Sequence, residues 1–111
     1  MSRTIEKACD LKTALATGDP LFVLFYAAWC PYSRQFLPVY EKHSEGRDAD
    51  FIRIALDGNE DVFEEFEIDV YPTVLFFDGG RVSKRLDGKH FAGLKEKQLV
   101  KLVESCRRAS S

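Results

Sequence analysis

Short blocks of apolar residues alternate with amphipathic segments along the chain, which predicts strands alternating with helices. Leu11 and Leu15 follow Asp10, a candidate N-cap, at helical spacing, so a first helix is expected after this aspartate. The turn-forming residues 18–20, Gly-Asp-Pro, would end it. Residues 21–26 are six consecutive apolar residues, the pattern of a strand that is buried on both faces.

The remainder of the chain continues this alternation. A second helix is predicted to begin near Pro31, a second buried strand covers 51–56, and an acidic helix follows it. Two strands, 73–77 and 81–86, flank Asp78-Gly79-Gly80, a strong hairpin signal, and a final helix follows. The positions that mark the inner faces of these three helices are Tyr32, Phe36, Tyr40 and His43, then Val62, Phe63 and Phe66, then Leu99, Leu102, Val103 and Cys106. The alternation implies a parallel strand pair, and the hairpin adds antiparallel strands. The predicted class is therefore α/β, with a single mixed β-sheet flanked by helices on both faces.

Composition limits the function classes that this sequence can serve. The chain has 111 residues, of which 45% are hydrophobic, so residues 1–111 are expected to form one domain with its own core. A net charge of −2 argues against nucleic-acid binding, and no apolar run is long enough to span a bilayer. The first residues lack the apolar region of a signal peptide, so a cytosolic protein is expected. A monomer is also expected. Cys9, Cys30 and Cys106 show no metal-ligand spacing, and Cys9 and Cys106 are interpreted as inert packing residues.

Cys30 stands where the first buried strand turns into a helix. Such turns lie at the carboxyl edge of the sheet, where α/β proteins usually place their chemistry. Pro31 suits the first helical position, so Cys30 would be the N-cap. The free amides of Tyr32 and Ser33, together with the helix dipole, would then point toward the sulfur and favour its thiolate. The Ser33 hydroxyl is expected to donate a further hydrogen bond, so Cys30 is predicted to be a nucleophile that ionises more readily than a free cysteine.

The sequence around these residues resembles the thioredoxin superfamily over nearly the whole chain. Phe25-Tyr26-Ala27-Ala28-Trp29-Cys30 is similar to the active-site entry of thioredoxins and protein disulfide isomerase domains, Pro38 is similar to the family's helix-kinking proline, and Val70-Tyr71-Pro72-Thr73 is similar to the loop whose cis proline lies against the active-site sulfur. The resemblance implies a thioredoxin fold and thiol–disulfide exchange at Cys30. It also implies a substrate groove formed by Trp29, Pro31, Tyr32, Tyr71 and Pro72, in which the Tyr71 backbone pairs with the extended chain of a protein disulfide.

Ser33 departs from the family's dithiol pattern, in which a second cysteine at this position releases the product. A hydroxyl is a poor nucleophile toward sulfur, so the reaction would stop at a mixed disulfide unless an external thiol acts. Leu24 stands where the family usually has a buried acid that helps to deprotonate the second cysteine. The joint absence of the second thiol and the acid favours a natural monothiol protein over an engineered Cys→Ser change.

Three alternatives remain beside this interpretation. Cys30-Pro31-Tyr32 also resembles the glutaredoxin active site, whose single-thiol members use glutathione, so glutathione is the one candidate cofactor. Against this, Gly79-Gly80 lies in a hairpin, whereas the glutathione-binding glycine pair of glutaredoxins follows the last strand. A cluster-binding role through Cys30 and glutathione is disfavoured by the thioredoxin-like sequence around the cysteine. A non-catalytic thioredoxin-like module that retains client thiols is the alternative from a different class.

Overall fold

The structure, a computed structural model, describes residues 3–45, 51–89 and 93–110, with the side chains of Arg3 and of residues 107–110 left aside. Strands and helices alternate through the first two thirds of the chain and are followed by a hairpin and a helix. In chain order they are β1 (Arg3–Ile5), α1 (Ala8–Ala16), β2 (Leu21–Tyr26), α2 (Pro31–Ser44), β3 (Phe51–Ala55), α3 (Glu60–Glu65), β4 (Thr73–Asp78), β5 (Arg81–Asp87) and α4 (Glu96–Ser110). Within the described ranges, no helix is both long enough and apolar enough to cross a bilayer.

All of the named strands belong to one mixed sheet with the order β1-β3-β2-β4-β5. The strands β1, β3 and β2 run parallel to one another, and β4 and β5 run antiparallel to their neighbours. The central strand is β2, where Phe25 pairs with Ile54 on one side and with Thr73 on the other. Because β2 has a neighbour on each edge and helices on each face, its first five residues are buried, as its unbroken apolar sequence predicts.

Two apolar layers cover the two faces of this sheet. One layer joins the sheet to α1 and α3 and includes Leu11, Leu15, Phe25, Ile54, Val62, Phe63, Leu75 and Phe77. The other layer joins the sheet to α2 and α4 and includes Leu24, Phe36, Tyr40, Phe51, Val74, Leu99, Leu102 and Cys106. Since each fully buried large apolar side chain contributes roughly 1.5–3 kcal/mol, both layers stabilise the fold substantially. The predicted arrangement, helices on both faces of a single mixed sheet, is confirmed.

Helix α1 begins earlier than its sequence predicts. Its N-cap is Lys7 and its first residue is Ala8, so Asp10 lies inside the first turn, and the prediction that Asp10 is the N-cap is wrong. An aspartate is favourable in both places, because the free amides and the positive end of the helix dipole stabilise a carboxylate throughout the first turn. The residue type therefore locates the start of the helix to within a turn but does not fix the cap.

Other boundaries differ from prediction by one residue. Strand β3 ends at Ala55 rather than at residue 56, and the hairpin strands each extend one residue farther, to Asp78 and Asp87. Only Gly79 and Gly80 remain between the hairpin strands, and their φ values of 64° and 79° suit a tight two-residue turn that favours glycine.

Candidate functional site

Cys30 is the N-cap residue of α2 and lies just beyond the carboxyl end of β2. Its backbone is extended, with φ −82° and ψ 123°, and Pro31 is the first residue of the helix. The Arg34 N–H donates a hydrogen bond to the Cys30 carbonyl at 3.0 Å, which closes the first turn. The cysteine is buried but retains 8% of its surface exposed to solvent. The placement at the carboxyl edge of the sheet is therefore as the sequence predicts.

The partner of the Cys30 sulfur is a carbonyl and not the helix amides. The thiol donates a hydrogen bond to the Tyr71 carbonyl, with Sγ and O 3.8 Å apart. The side chain makes no hydrogen bond to the amides at the start of α2, and the predicted stabilisation of the thiolate by these amides stays a prediction. A protonated thiol donates its hydrogen to an acceptor, and the Tyr71 carbonyl is that acceptor in this structure.

Ser33 is fully buried one turn along α2. Its Oγ accepts the Ala27 N–H at 3.2 Å, and the Ala27 carbonyl accepts the Cys30 N–H at 3.0 Å. Ser33 therefore helps to hold the turn that connects β2 with α2 and carries the cysteine. The serine keeps its own hydroxyl proton for donation, and its predicted support of the Cys30 thiolate stays a prediction.

Leu24 occupies an apolar environment on β2. It is fully buried in the same layer as Phe36 and Tyr40. The single proton of the Tyr40 hydroxyl is shared between the carbonyls of Phe22 and Ile52, whose oxygens lie 3.1 and 2.7 Å from the phenol oxygen, and burial raises the pKa of this phenol well above the usual range. A carboxylate at position 24 would enter this layer at a large desolvation cost, so the leucine is the residue that the surrounding structure favours.

Aromatic side chains form a rim beside the cysteine. Trp29 is 62% exposed, and the edge of its ring contacts the ring of Tyr71 at a centroid distance of 6.0 Å. The Tyr71 ring also packs against Phe63 at 5.8 Å. Partial burial, then the charge of Asp69, then Cys30 raise the pKa of the Tyr71 phenol. An exposed tryptophan against a half-buried tyrosine is the kind of apolar surface that marks a binding site.

The loop that carries Tyr71 contacts the Cys30 sulfur through the Tyr71 carbonyl. The Tyr71–Pro72 peptide bond is cis, and Pro72 itself is buried. Thr73 follows at the start of β4 and is fully buried, with hydrogen bonds on both sides of its hydroxyl. Gly88 packs so closely that a Cβ on it would lie 2.4 Å from the Pro72 carbonyl oxygen. The structure therefore brings Trp29, Cys30, Tyr71 and Pro72 together, as the resemblance implies.

Tyr32 contacts a second loop that the sequence interpretation missed. Tyr32 is half-buried, and a Cβ on Gly93 would lie 2.8 Å from the Tyr32 Cβ. Lys89 and Gly93 exchange two backbone hydrogen bonds, of 3.2 and 2.9 Å, which fix the position of this glycine relative to the end of β5. The only signal for this contact is a glycine, whose φ of 67° and close packing are not evident before folding.

In residues 3–45, 51–89 and 93–110, no group of three or more His, Cys, Asp or Glu side chains is arranged to hold a metal ion.

Comparisons with known proteins agree with this architecture. A family model described as Thioredoxin matches residues 4–105. Thioredoxin-2 of Saccharomyces cerevisiae is 34% identical over 98 residues, covering 86% of this chain and 94% of that protein. A thioredoxin of Alicyclobacillus acidocaldarius is 33% identical over 98 residues, covering 86% and 92%. The solved structure of Plasmodium falciparum thioredoxin superposes with a TM-score of 0.82 at 22% identity, covering 93% and 97%. This similarity confirms the predicted fold class.

Proposed function

Because the chain belongs to the thioredoxin family, we propose that it is a monothiol thiol–disulfide exchange protein in which Cys30 is the nucleophile. Family membership supports a thiol–disulfide oxidoreductase function in general terms. The finer proposal is supported by one observation above the others: a partly accessible cysteine caps α2, and a buried serine lies one turn farther along the same helix.

In the first step, the Cys30 thiolate attacks one sulfur of a disulfide. A new S–S bond forms between Cys30 and the substrate, the substrate's own S–S bond breaks, and the second substrate sulfur leaves as a thiolate that takes a proton from water. Before the attack, the Cys30 proton passes from its contact with the Tyr71 carbonyl to solvent. The amide end of α2 favours the negative sulfur that remains, and the Ser33 hydroxyl is proposed to support it.

The second step needs a thiol from outside the site. Ser33 offers a hydroxyl, which does not displace sulfur, and its oxygen is already engaged with the Ala27 N–H. An external thiolate therefore attacks the mixed disulfide, releases the Cys30 thiolate and remains joined to the substrate sulfur in a new disulfide. A second external thiol would complete the reduction of that substrate. Glutathione is the proposed external thiol, since it is the abundant small thiol of reducing compartments.

The proposed substrates are protein disulfides that lie along the aromatic rim. Trp29 offers an exposed apolar surface, the Tyr71 carbonyl contacts the sulfur, and Pro72 is the next residue of the same loop. Pro31 and Tyr32 complete the proposed groove on the helix side. Because the exposed Trp29 can cover apolar surface of an incoming chain, an extended peptide should be a better substrate than a small disulfide. We also propose that the protein acts in the cytosol as a monomer.

A second candidate function is a module that retains client thiols without turnover. The observation that favours it is again Ser33, because a mixed disulfide on Cys30 would meet no thiol at that position. The two candidates differ in one property: exchange proteins complete many turnovers when glutathione is supplied, whereas a retention module stops at one adduct per chain.

The test is the reaction of the reduced protein with oxidised glutathione and with a peptide disulfide, followed by peptide mass mapping. Cys30→Ser is expected to abolish adduct formation, and Cys9→Ser, which removes an exposed thiol on α1, is the matched control that should leave the rate unchanged. Exchange that survives Cys30→Ser would overturn the proposal. Repeated turnover with reduced glutathione would support exchange, and a single stable adduct would support retention.

A further inference from the structure

The Thr73 hydroxyl joins two backbone segments that meet behind the reactive sulfur. Its Oγ1 donates a hydrogen bond to the Val70 carbonyl at 2.7 Å and accepts the Gly88 N–H at 3.5 Å. Thr73 is fully buried, so no water replaces these bonds if the hydroxyl is removed. The hydroxyl thus ties the start of the Val70–Pro72 segment to the residue that follows β5.

The middle of this tied segment is the Tyr71 carbonyl. That carbonyl accepts the Cys30 thiol with a separation of 3.8 Å between O and Sγ. This distance is near the outer limit for a hydrogen bond to sulfur, so a displacement of a few tenths of an ångström would break it. The backbone of Gly88 packs directly against the Pro72 carbonyl, and this contact restricts movement of the Val70–Pro72 segment toward Gly88. The position of the carbonyl therefore depends on the bonds that hold both ends of the loop.

We propose that Thr73 is a positioning residue whose hydroxyl holds the Tyr71 backbone against the Cys30 sulfur. The inference rests on the proposed function of Cys30. A correctly placed Tyr71 carbonyl accepts the hydrogen bond of the Cys30 thiol and so opposes ionisation of that thiol. The same placement presents the loop backbone to the chain of a peptide substrate. Thr73 touches neither the sulfur nor the substrate, and it acts through the loop.

Removing the hydroxyl should therefore lower two measured quantities. In Thr73→Val, the loosened carbonyl opposes thiolate formation less. The ionisation constant of the Cys30 thiol should therefore rise by about threefold or more, and the midpoint of the pH profile of Cys30 alkylation should fall accordingly. For a peptide disulfide, kcat/KM should fall by about tenfold, mostly through KM, because the backbone that pairs with the peptide is misplaced. Exchange with oxidised glutathione should fall less.

Thr17 supplies a control at the protein surface. Its Oγ1 donates to the carbonyl three residues earlier, Ala14, at 2.8 Å and accepts the Asp19 N–H at 3.3 Å, so it makes the same kinds of bonds as Thr73 but at an exposed position at the end of α1. Thr17→Val should leave the alkylation midpoint and the peptide kinetics unchanged. Thr73→Ser, which keeps the hydroxyl, should restore both quantities to wild-type values. The Tyr71 phenol and Asp69, the ionisable groups that interact around this loop, are the same in every variant.

The experiment measures the alkylation of Cys30 across pH and the kinetics of both disulfides in the folded variants. If Thr73→Val does not fold, the smaller Thr73→Ala takes its place. An unchanged midpoint together with an unchanged peptide-to-glutathione ratio would overturn the positioning role. So would a faster limiting rate at high pH without a shift in the midpoint, since that result would indicate only greater exposure. If the wild-type protein exchanges with neither disulfide, the proposed function fails, and the alkylation midpoints still decide the role of Thr73.

Discussion

Replacing Ser33 with cysteine should convert a long-lived mixed disulfide into a short-lived one. Ser33 lies three residues after Cys30 at the start of α2, so the side chains share the first turn of the helix. A thiol at this position would attack the mixed disulfide from within the same molecule. Glutathione bound to Cys30 would leave, and an intramolecular disulfide would form between Cys30 and the introduced thiol.

The magnitude of this effect follows from effective concentration. Two thiols on one short segment meet at an effective concentration of about 1 mM or more, so at roughly 0.1 mM free glutathione the internal attack should be about tenfold faster than the external one. The stability cost should be small. The Ser33 Oγ accepts one neutral hydrogen bond, from the Ala27 N–H at 3.2 Å. Its loss costs about 0.5–1.5 kcal/mol, partly offset because sulfur is more apolar in a fully buried position.

The assay is intact-mass spectrometry of a purified Cys30–glutathione adduct, followed over time at low thiol concentration. The wild-type adduct should persist until thiol is added, and the Ser33→Cys adduct should collapse with release of glutathione. Urea unfolding of both proteins checks that the substitution leaves the fold intact. If a folded Ser33→Cys protein keeps its adduct as long as the wild type does, the reasoning that the missing thiol stops the reaction is refuted.

Three further predictions concern the hydrophobic core, the stability of the fold at acid pH and the aromatic rim beside Cys30. Tyr40→Phe should lower the free energy of unfolding by about 1–2 kcal/mol in urea titrations, because the buried strand carbonyls lose the one hydroxyl proton that they share; an unchanged midpoint would contradict this. Hydrogen bonds and charge from His43 and Lys42 lower the pKa of Glu96, so this group should stabilise the fold above its usual pKa and lose that contribution as the pH falls through its lowered value. Glu96→Gln should therefore flatten the acid limb of stability below the usual pKa of a glutamate, and an unaltered limb would count against the pairing. Trp29→Ala should leave stability within about 0.5 kcal/mol, since the side chain is largely exposed, while slowing exchange with peptide disulfides; a normal peptide rate would argue that the rim does not bind substrate.

The sequence predicts those parts of the fold that depend on local pattern. The apolar run at 21–26 predicts the buried central strand because only a strand covered on both faces tolerates it, and Pro31 predicts the start of α2 because its fixed φ suits a first helical residue. The sequence predicts Asp10 as the N-cap of α1 in place of Lys7, because an acidic side chain is favourable throughout a first turn. The three-residue strand β1 is too short to give a periodic signal of its own.

The contacts of the site depend on residues that are distant in sequence. Cys30 and Tyr71 are 41 positions apart, so the carbonyl that accepts the thiol hydrogen bond is fixed only when β2 and β4 pair. The Thr73–Gly88 bond likewise forms across the β4–β5 pair, which brings Thr73 opposite Asp87. The sequence therefore predicts Cys30 as the candidate nucleophile and the loop that faces it, whereas the direction of the thiol hydrogen bond requires the folded sheet.

The central claim is that Cys30 reacts alone and that release depends on an external thiol. The most direct measurement is to treat the reduced protein with oxidised glutathione, remove the excess, and locate and time the adduct by peptide mass mapping. The account predicts one glutathione on Cys30, stable in the absence of thiol and lost when reduced glutathione is added. Modification confined to Cys9 or Cys106, or loss of the Cys30 adduct without any added thiol, would contradict it.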